Sequence, residues 1–442
     1  MALAPRVLPP GRPFFGGRRL TGLSLGLLPL RRRNYRLLWL SSLTWYWARW
    51  MDILVTSYVA LQITNSAFDV ALIGFCRYVP VMLFGAFAGA VADRLDRRLL
   101  VVATTFLNAL ATLTIGLLFL SGRLEFWHLA LASLMLGLSW SVEWPSRRAM
   151  IPDLAGKSLL IPAVLVDTIS MNLNRAVAPL VGGALLATLS SANCYFVLAF
   201  LYAVGLVPLG LLRLPEHLVP QRTATLRFIA EGLRYCYRYQ VVRGVLLITV
   251  VMNACFFPYT QMLSVVARDV LNVGPLELGL LASADGTGSL VGALLLLSLN
   301  RLPRQGTLFV IGSLSMLLAL LAFALSSHFA LSLLILGVAG LSQSAFATYQ
   351  STIVLGEVGD ALRARVMGVL TVAIGSSPVG MLFIGAVAGR YGASWALGLS
   401  GGLGALLVLV SVALAPRLLT YAVPALRPVP PLPARPAVGS GD

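Results

Sequence analysis

Charged residues are scarce in this sequence of 442 residues, where Asp, Glu, Lys and Arg together make up only 11%. A soluble globular chain carries about 25% charged residues, so this one has too few polar side chains to face water all round. Hydrophobic residues reach 58%, a share that excludes a soluble enzyme with one buried core. The composition therefore predicts that a lipid bilayer is the main solvent and partner of the chain.

Cysteine and histidine are also rare, and their spacing excludes several kinds of site. The four cysteines lie far apart with no C-x-x-C pair, which argues against a disulfide framework and against zinc. The three histidines have no metal-ligand cluster beside them, so we expect no metal site. The stretch Gly156-Lys157-Ser158 ends like a phosphate-binding loop, but Ile151 replaces the glycine that the motif requires. We expect no cofactor and no enzymatic activity.

Lysine is nearly absent: Lys157 is the one lysine, whereas there are 32 arginines. The net charge of the chain is +17. In a soluble protein this charge would suggest a nucleic-acid partner. No basic stretch here is interleaved with aromatic residues in a polar domain, so we expect no nucleic acid. The arginines lie mostly between apolar runs and are better interpreted as determinants of membrane topology.

Long apolar runs dominate what is present. Each is long enough for the roughly 20 residues that cross a hydrocarbon core about 30 Å thick. Backbone groups find no water there, so such runs must be helical. The runs predict twelve transmembrane spans, at residues 37–63, 70–92, 99–122, 126–146, 161–190, 193–212, 244–267, 276–299, 306–326, 329–355, 366–389 and 394–415.

The distribution of basic residues predicts the orientation. If the N-terminus is cytoplasmic, 27 basic residues fall in inside segments and only Arg123, Arg268 and Arg390 fall in outside loops. This excess of positive charge on one side predicts a multi-pass protein of the cytoplasmic membrane with both termini inside the cell.

The two halves of the chain are a repeat. The first span follows Arg36 and the seventh follows Arg243, 207 residues later, and the same offset separates Asp153 from Asp360. Parallel repeats of this kind occur in transporters that rock around a site at mid-membrane. We therefore predict an all-α membrane protein of two pseudo-symmetric six-helix bundles. The predicted parts are a cytoplasmic arm (1–35), a first bundle (36–213), a connector with an amphipathic helix (214–243), a second bundle (244–417) and a disordered tail (418–442).

A charged turn after the second span carries a family resemblance. The stretch from Gly89 to Arg98, with its Asp-Arg pair and its Arg pair, resembles the motif of the major facilitator superfamily between spans two and three. The resemblance implies a transporter fold whose two halves are held together on the cytoplasmic side by this turn. A plain charged turn that only sets topology is the alternative. The predicted cytoplasmic gate residues are Gly89, Asp93, Arg94, Arg97, Arg98, Arg147, Asp153 and Asp360.

Two further segments narrow the resemblance. The stretch from Pro145 to Leu154, and the fifth span with Pro179, Gly182 and Gly183, are similar to the drug and siderophore exporter branch that includes macrolide efflux and enterobactin exporters. The proline and the glycines resemble an antiporter motif, in which they permit close packing and bending of helices.

Charges inside a membrane span are costly and usually functional. Arg49 and Asp52 lie one helical turn apart near the middle of the first span and share a face. One hypothesis is that Asp52 binds a proton or a cationic group of the substrate and that Arg49 tunes it. A structural ion pair between the two is the other.

Asp285 lies near mid-depth in the eighth span, among small residues. It can carry a proton or pair with an arginine from another span. Arg77 and Arg175 are interpreted as structural or gating charges, and Asp167 as a partner of one of them. The residues predicted to bind substrate or protons are Arg49, Asp52, Arg77, Asp167, Arg175 and Asp285.

Taken together, the sequence predicts a monomeric secondary transporter that exports small amphipathic organic molecules in exchange for protons. A lysophospholipid or nutrient carrier on the same fold is an alternative, because a fold does not set its cargo. A membrane sensor or assembly protein that transports nothing is the alternative from another class.

Overall fold

A computed structural model describes residues 27–92, 96–214, 234–298, 304–358 and 360–422, and it gives side chains for these residues except at 86–92, 157, 297, 360, 361, 363 and 364. Within these ranges the chain forms helices and short connections, with no strand. The arm before residue 27, most of the predicted connector and the tail from residue 423 lie outside the described residues. So do Asp93 and Arg94, together with the side chains of Gly89 and Asp360.

The first half of the chain contains six long helices after a short 3-10 turn at Leu28–Arg31. They begin and end close to the predicted spans, because the apolar runs that must lie in lipid are also the runs that satisfy their backbone internally. The helices are α1 (Arg33–Thr64), α2 (Ala67–Ala92), α3 (Arg97–Leu120), α4 (Phe126–Ala155), α5 (Leu160–Thr188) and α6 (Ser191–Leu211).

The second half repeats this order, but two of its helices are interrupted. The seventh passes through a π-helical turn at Met252–Phe256 just before Pro258, whose nitrogen cannot donate a hydrogen bond. The helices are α7a (Gln240–Val251), α7b (Tyr259–Asp269), α8 (Pro275–Ser298), α9 (Gln305–Leu325), α10 (Phe329–Glu357), α11a (Asp360–Ile374), α11b (Ser377–Tyr391), α12 (Ala393–Leu414) and α13 (Arg417–Thr420).

Nine segments among the described residues are long and apolar enough to cross a membrane. Helices α1, α4 and α5 are outside that set although they contain 32, 30 and 29 residues. These three helices carry most of the interior charges discussed below, which lowers their mean hydropathy. The all-helical membrane fold is confirmed, and the count of twelve crossings stays a prediction.

The packing of the two halves follows one pattern. In the first half α2 packs on α4, and α3 packs on α4 and α6. In the second half α8 packs on α10, and α9 packs on α10 and α12. Each helix of the second set therefore takes the place of the helix six positions earlier. The halves meet through two contacts, α5 with α8 and α2 with α11b. The two contacts are equivalent, because exchanging the halves replaces α5 by α11b and α8 by α2.

Glycines bring α5 and α8 close together. A Cβ atom at Gly183 would overlap the carbonyl oxygen of Pro275 and lie 2.8 Å from the Cα of Gly279. Such contact between small residues is the usual way in which membrane helices approach each other. It lies where α5 ends and α8 begins, at the end of the bundle that carries the short loops after α1, α3 and α5. We call this the short-loop end, and the opposite one the connector end.

The beginning of the predicted disordered tail belongs to the folded bundle. Leu418 in α13 is fully buried, and its side chain packs near Gly244. The backbone amide of Gly306 donates to the carbonyl of Tyr421, and the Thr307 hydroxyl donates to that of Leu419. The prediction was wrong for residues 418–422, because burial of Leu418 offsets the entropy lost on ordering a few residues.

The close approach at Gly183 leads to a test. We expect Gly183→Ala to destabilise the protein by about 1–3 kcal/mol, because the added Cβ meets backbone atoms that cannot rotate away. Gly402→Ala in α12 is the matched control, since a Cβ there has nothing within 4 Å. Thermal unfolding in detergent measures both variants. Equal unfolding temperatures for the two would contradict a tight α5–α8 contact.

Candidate functional site

Asp52 lies in a buried chain of hydrogen bonds inside the first half. Its Oδ2 accepts from Arg77 of α2 at 2.5 Å, and its Oδ1 accepts from the Thr56 hydroxyl at 2.9 Å. The hydroxyl of Tyr195 in α6 in turn donates to Thr56 at 3.1 Å. All four side chains are buried. The ion pair with Arg49, one of the two hypotheses for these residues, does not form, because the carboxylate points across to the neighbouring helix.

Arg49 points to α4 instead. Its guanidinium carbon lies 3.7 Å from the centroid of the Trp140 ring and 5.8 Å from that of Trp45. Only 8% of the residue is exposed. Among the described residues the guanidinium makes no hydrogen bond and no ion pair.

The two rings beside this guanidinium belong to a cluster of aromatic rings from three helices. Trp45 and Tyr46 of α1 pack against Trp144 of α4, with centroids 6.3 and 6.1 Å away. Tyr78 of α2 meets Trp140 edge-on at 5.6 Å. We call these five rings the aromatic wall. The rings come from positions far apart along the chain, so the sequence alone does not reveal that they form one cluster.

Asp167 of α5 accepts a hydrogen bond from the Tyr46 hydroxyl at 2.9 Å. The predicted pairing of Asp167 with Arg77 or Arg175 was wrong. Both arginines have other carboxylate partners, and a neutral phenol takes their place beside Asp167.

Arg147 lies deep in the first half. It pairs with Glu143 one turn earlier at 2.7 Å, and it also donates to hydroxyl groups of α1 and α3. Glu143 is fully buried and accepts a further bond from Thr105. Arg147 therefore joins three helices of one half, at a position that the sequence assigned to the cytoplasmic gate.

The remaining gate residues with described side chains also make contacts within the first half. Arg97 lies 3.5 Å from Asp153, which ties the start of α3 to the end of α4. Arg98 donates to the carbonyls of Leu209 and Gly210 at the end of α6. Arginine near a helix C-terminus stabilises unpaired carbonyl groups in this way.

One ion pair joins the two halves. Arg175 of α5 donates to Asp285 of α8, as one of the two sequence hypotheses for Asp285 predicted. The pair lies near the middle of both helices and is buried, although the Arg175 side chain keeps 17% exposure. Asp285 Oδ1 accepts no hydrogen bond.

A small cavity lies next to this ion pair, between the halves. It extends from mid-depth towards the short-loop end. Helices α1, α5, α7b and α8 supply its lining, which includes Trp50, Pro179 and Tyr259 beside the two charges. Trp50 also stacks on Arg175, with the guanidinium 5.4 Å from the ring centroid. The cavity thus combines one ion pair with a mainly apolar lining, as small-molecule sites usually do.

Comparisons with known proteins agree with this geometry. The sequence profile of a family described as transmembrane secretion effector matches residues 24–434. The chain is 26% identical over 352 residues to the multidrug efflux pump Tap of Mycolicibacterium fortuitum, covering 77% of this chain and 86% of that one. It is 22% identical over 357 residues to the staphyloferrin A transporter of Staphylococcus aureus, covering 80% and 89%. With the enterobactin exporter EntS of Shigella boydii it shares 26% over 304 residues, covering 69% and 71%.

Solved structures share the fold. A bacterial homolog of the human lysosomal transporter Spinster, in an inward-facing and unoccupied conformation, superposes with a TM-score of 0.65 at 18% identity. The alignment covers 89% of this chain and 99% of that one. A POT family transporter in complex with 5-aminolevulinic acid gives 0.69 at 11% identity, covering 88% and 97%. Identities this low establish the architecture alone.

The buried Asp52–Arg77 pair leads to a second test. We expect Asp52→Asn to destabilise the protein by about 3–5 kcal/mol, because it leaves the Arg77 charge buried without a carboxylate. The double variant Asp52→Leu/Arg77→Met removes both charges and should recover most of the loss. Thermal unfolding in detergent gives the readout. Normal stability of Asp52→Asn with loss of transport would instead support a role of Asp52 in proton or substrate binding.

Proposed function

Because this chain belongs to the transmembrane secretion effector family of the major facilitator superfamily, we propose that it exports small amphipathic organic molecules in exchange for protons. The two six-helix halves alternate between access from one side of the membrane and from the other. Family membership carries the transporter function. The direction, the cargo class and the coupling ion are the parts proposed here.

The relatives support the cargo class and the direction. Their names describe a multidrug efflux pump, a staphyloferrin A transporter and an enterobactin exporter. These are proteins that move small organic molecules, and two of the three names state outward movement. The cavity beside Arg175 and Asp285 has a mainly apolar lining, which suits such a cargo.

The ion pair between Arg175 and Asp285 supports proton coupling. It links α5 to α8, the helices whose contact holds the halves together, so it has to break or rearrange when the halves rock. Protonation of Asp285 removes its charge and weakens its attraction to Arg175. A proton that enters at Asp285 therefore favours separation of the halves at this interface, and its release allows them to close again.

The arginine distribution supports the orientation. With the connector end in the cytoplasm, the basic turns lie inside and the short-loop end faces out. The halves are then in contact on the outer side, at Gly183 and Gly279.

Orientation can be tested with two serine-to-cysteine substitutions in a variant that lacks the native cysteines. Ser121 lies in the loop between α3 and α4, Ser158 lies in the turn between α4 and α5, and both are exposed. We expect a membrane-impermeant maleimide to label Ser121→Cys in intact cells and Ser158→Cys only after permeabilisation. The reverse pattern would mean that the orientation is wrong.

Proton coupling can be tested with Asp285→Asn. We expect this variant to fold, because the Arg175 side chain keeps 17% exposure and can stay partly hydrated beside a neutral partner, unlike buried Arg77. We also expect it to lose accumulation of a fluorescent amphipathic dye driven by a proton gradient in inverted vesicles. Dye equilibration down its own gradient should persist. Asp269→Asn is the matched control, since that carboxylate is exposed and pairs only with the adjacent Arg268. Proton-driven accumulation that survives in Asp285→Asn would contradict the proposed coupling.

A further inference from the structure

Arg49 is the one interior arginine described above that forms no ion pair with a carboxylate. The carboxylate nearest to it along α1, that of Asp52, is occupied by Arg77 and Thr56. Arg49 lies 16 residues from the start of the 32-residue helix α1, and therefore near mid-membrane. Its nitrogen atoms donate to no acceptor in the described part of the chain, although the guanidinium offers five N–H groups.

A lone guanidinium at this depth is energetically unfavourable. Arginine stays protonated in proteins, so it cannot lower the cost of burial by losing its charge. The indole faces of Trp140 and Trp45 offset part of that cost. Arg77 on the neighbouring helix repels Arg49, while the carboxylate of Asp52 attracts it without bonding to it. An anion beside Arg49 would supply the direct partner that no carboxylate of the described residues provides.

The rings near Arg49 suggest which kind of anion would fit beside it. A guanidinium stacked flat on an indole keeps its N–H edges free, and those edges match a carboxylate with two parallel hydrogen bonds. Trp140, Trp144 and Tyr78 are partly exposed, so their surfaces are not used up by packing. The aromatic wall thus places a flat apolar surface next to a donor of two hydrogen bonds.

We propose that Arg49 and the aromatic wall form a subsite for a carboxylate group of the cargo, and that cargoes with a planar apolar body bearing a carboxylate are preferred. This inference rests on the proposed function and narrows its substrate class. An inorganic anion such as chloride shares the charge but would gain nothing from the rings, so the wall favours an organic carboxylate.

Binding of three probes of one shape tests the subsite. They are 2-naphthoate, its neutral amide and the cationic 2-naphthylmethylammonium, measured by calorimetry on purified protein in lipid nanodiscs. We expect naphthoate to bind most tightly to the wild type, and Arg49→Gln to weaken it by about 10- to 100-fold while leaving the amide unchanged. Arg49→Lys keeps the charge but not the two parallel donors, so it should restore binding only in part.

The control variant is Arg148→Gln. Arg148 is also stacked on a ring of the aromatic wall, 4.5 Å from the centroid of Trp144, but it is exposed to solvent. Its loss should leave naphthoate affinity within a factor of about two, since an exposed charge is strongly screened.

Thermal unfolding without ligand separates a binding role from a structural one. If Arg49 serves a ligand, Arg49→Gln removes an uncompensated charge and unfolds at the same or a higher temperature than the wild type. A lower unfolding temperature, together with unchanged naphthoate affinity, would overturn the proposal. Chloride that protects the wild type as well as naphthoate does would also overturn it, because the ligand would then be the inorganic ion.

Flux through vesicles distinguishes failure of the Arg49 subsite from failure of the proposed export function. If the wild type transports the amide and the amine but neither binds nor transports naphthoate, the inference about Arg49 fails and the export function stands. If it transports none of the three and binds none, both fail together.

Discussion

A charge inside a lipid bilayer has to be compensated by the protein, and the way in which this chain compensates its interior charges organises the rest of the structure. Two carboxylate–arginine pairs, Asp52 with Arg77 and Glu143 with Arg147, lie within the first half. Since breaking either would bury an unpaired charge, α1 to α4 are held as one unit. The pair of Arg175 with Asp285 crosses between the halves and is partly accessible. The same chemistry therefore fixes one set of helices and leaves another set free to separate.

The contact between the halves is formed largely by small residues. Along α5 and α8 the closest approaches involve glycine and backbone atoms, and the contact of α2 with α11b is its counterpart under the exchange of halves. Small residues let membrane helices approach without interlocking side chains. Such a surface can separate and re-form at lower cost than a network of buried ion pairs. Rocking about these two contacts is the motion that the proposed export cycle requires.

The choice of partners is where reasoning from the sequence failed. Arg49 and Asp52 are three residues apart on one helix, and this spacing predicted that they share a face and allowed an ion pair between them. In the structure Asp52 bonds to a residue 25 positions away, while Arg49 turns to Trp140. Asp167 likewise meets Tyr46, 121 positions away. Proximity along a helix brings two side chains within reach of each other, but competition from neighbouring helices decides which contact forms.

The sequence by itself determined that the chain is an all-helical membrane protein, that it repeats at an offset of 207 residues, and which charges lie within the apolar runs. These properties follow from local composition, because a lipid environment demands a helix and an apolar surface wherever the chain crosses it. Only the tertiary structure decided that Asp285 pairs with Arg175, that Gly183 meets Gly279, and that Arg49 lies among rings from three helices. Those contacts depend on how the helices pack against one another. Packing brings together residues that are far apart along the chain, so their positions in the sequence do not predict the contact.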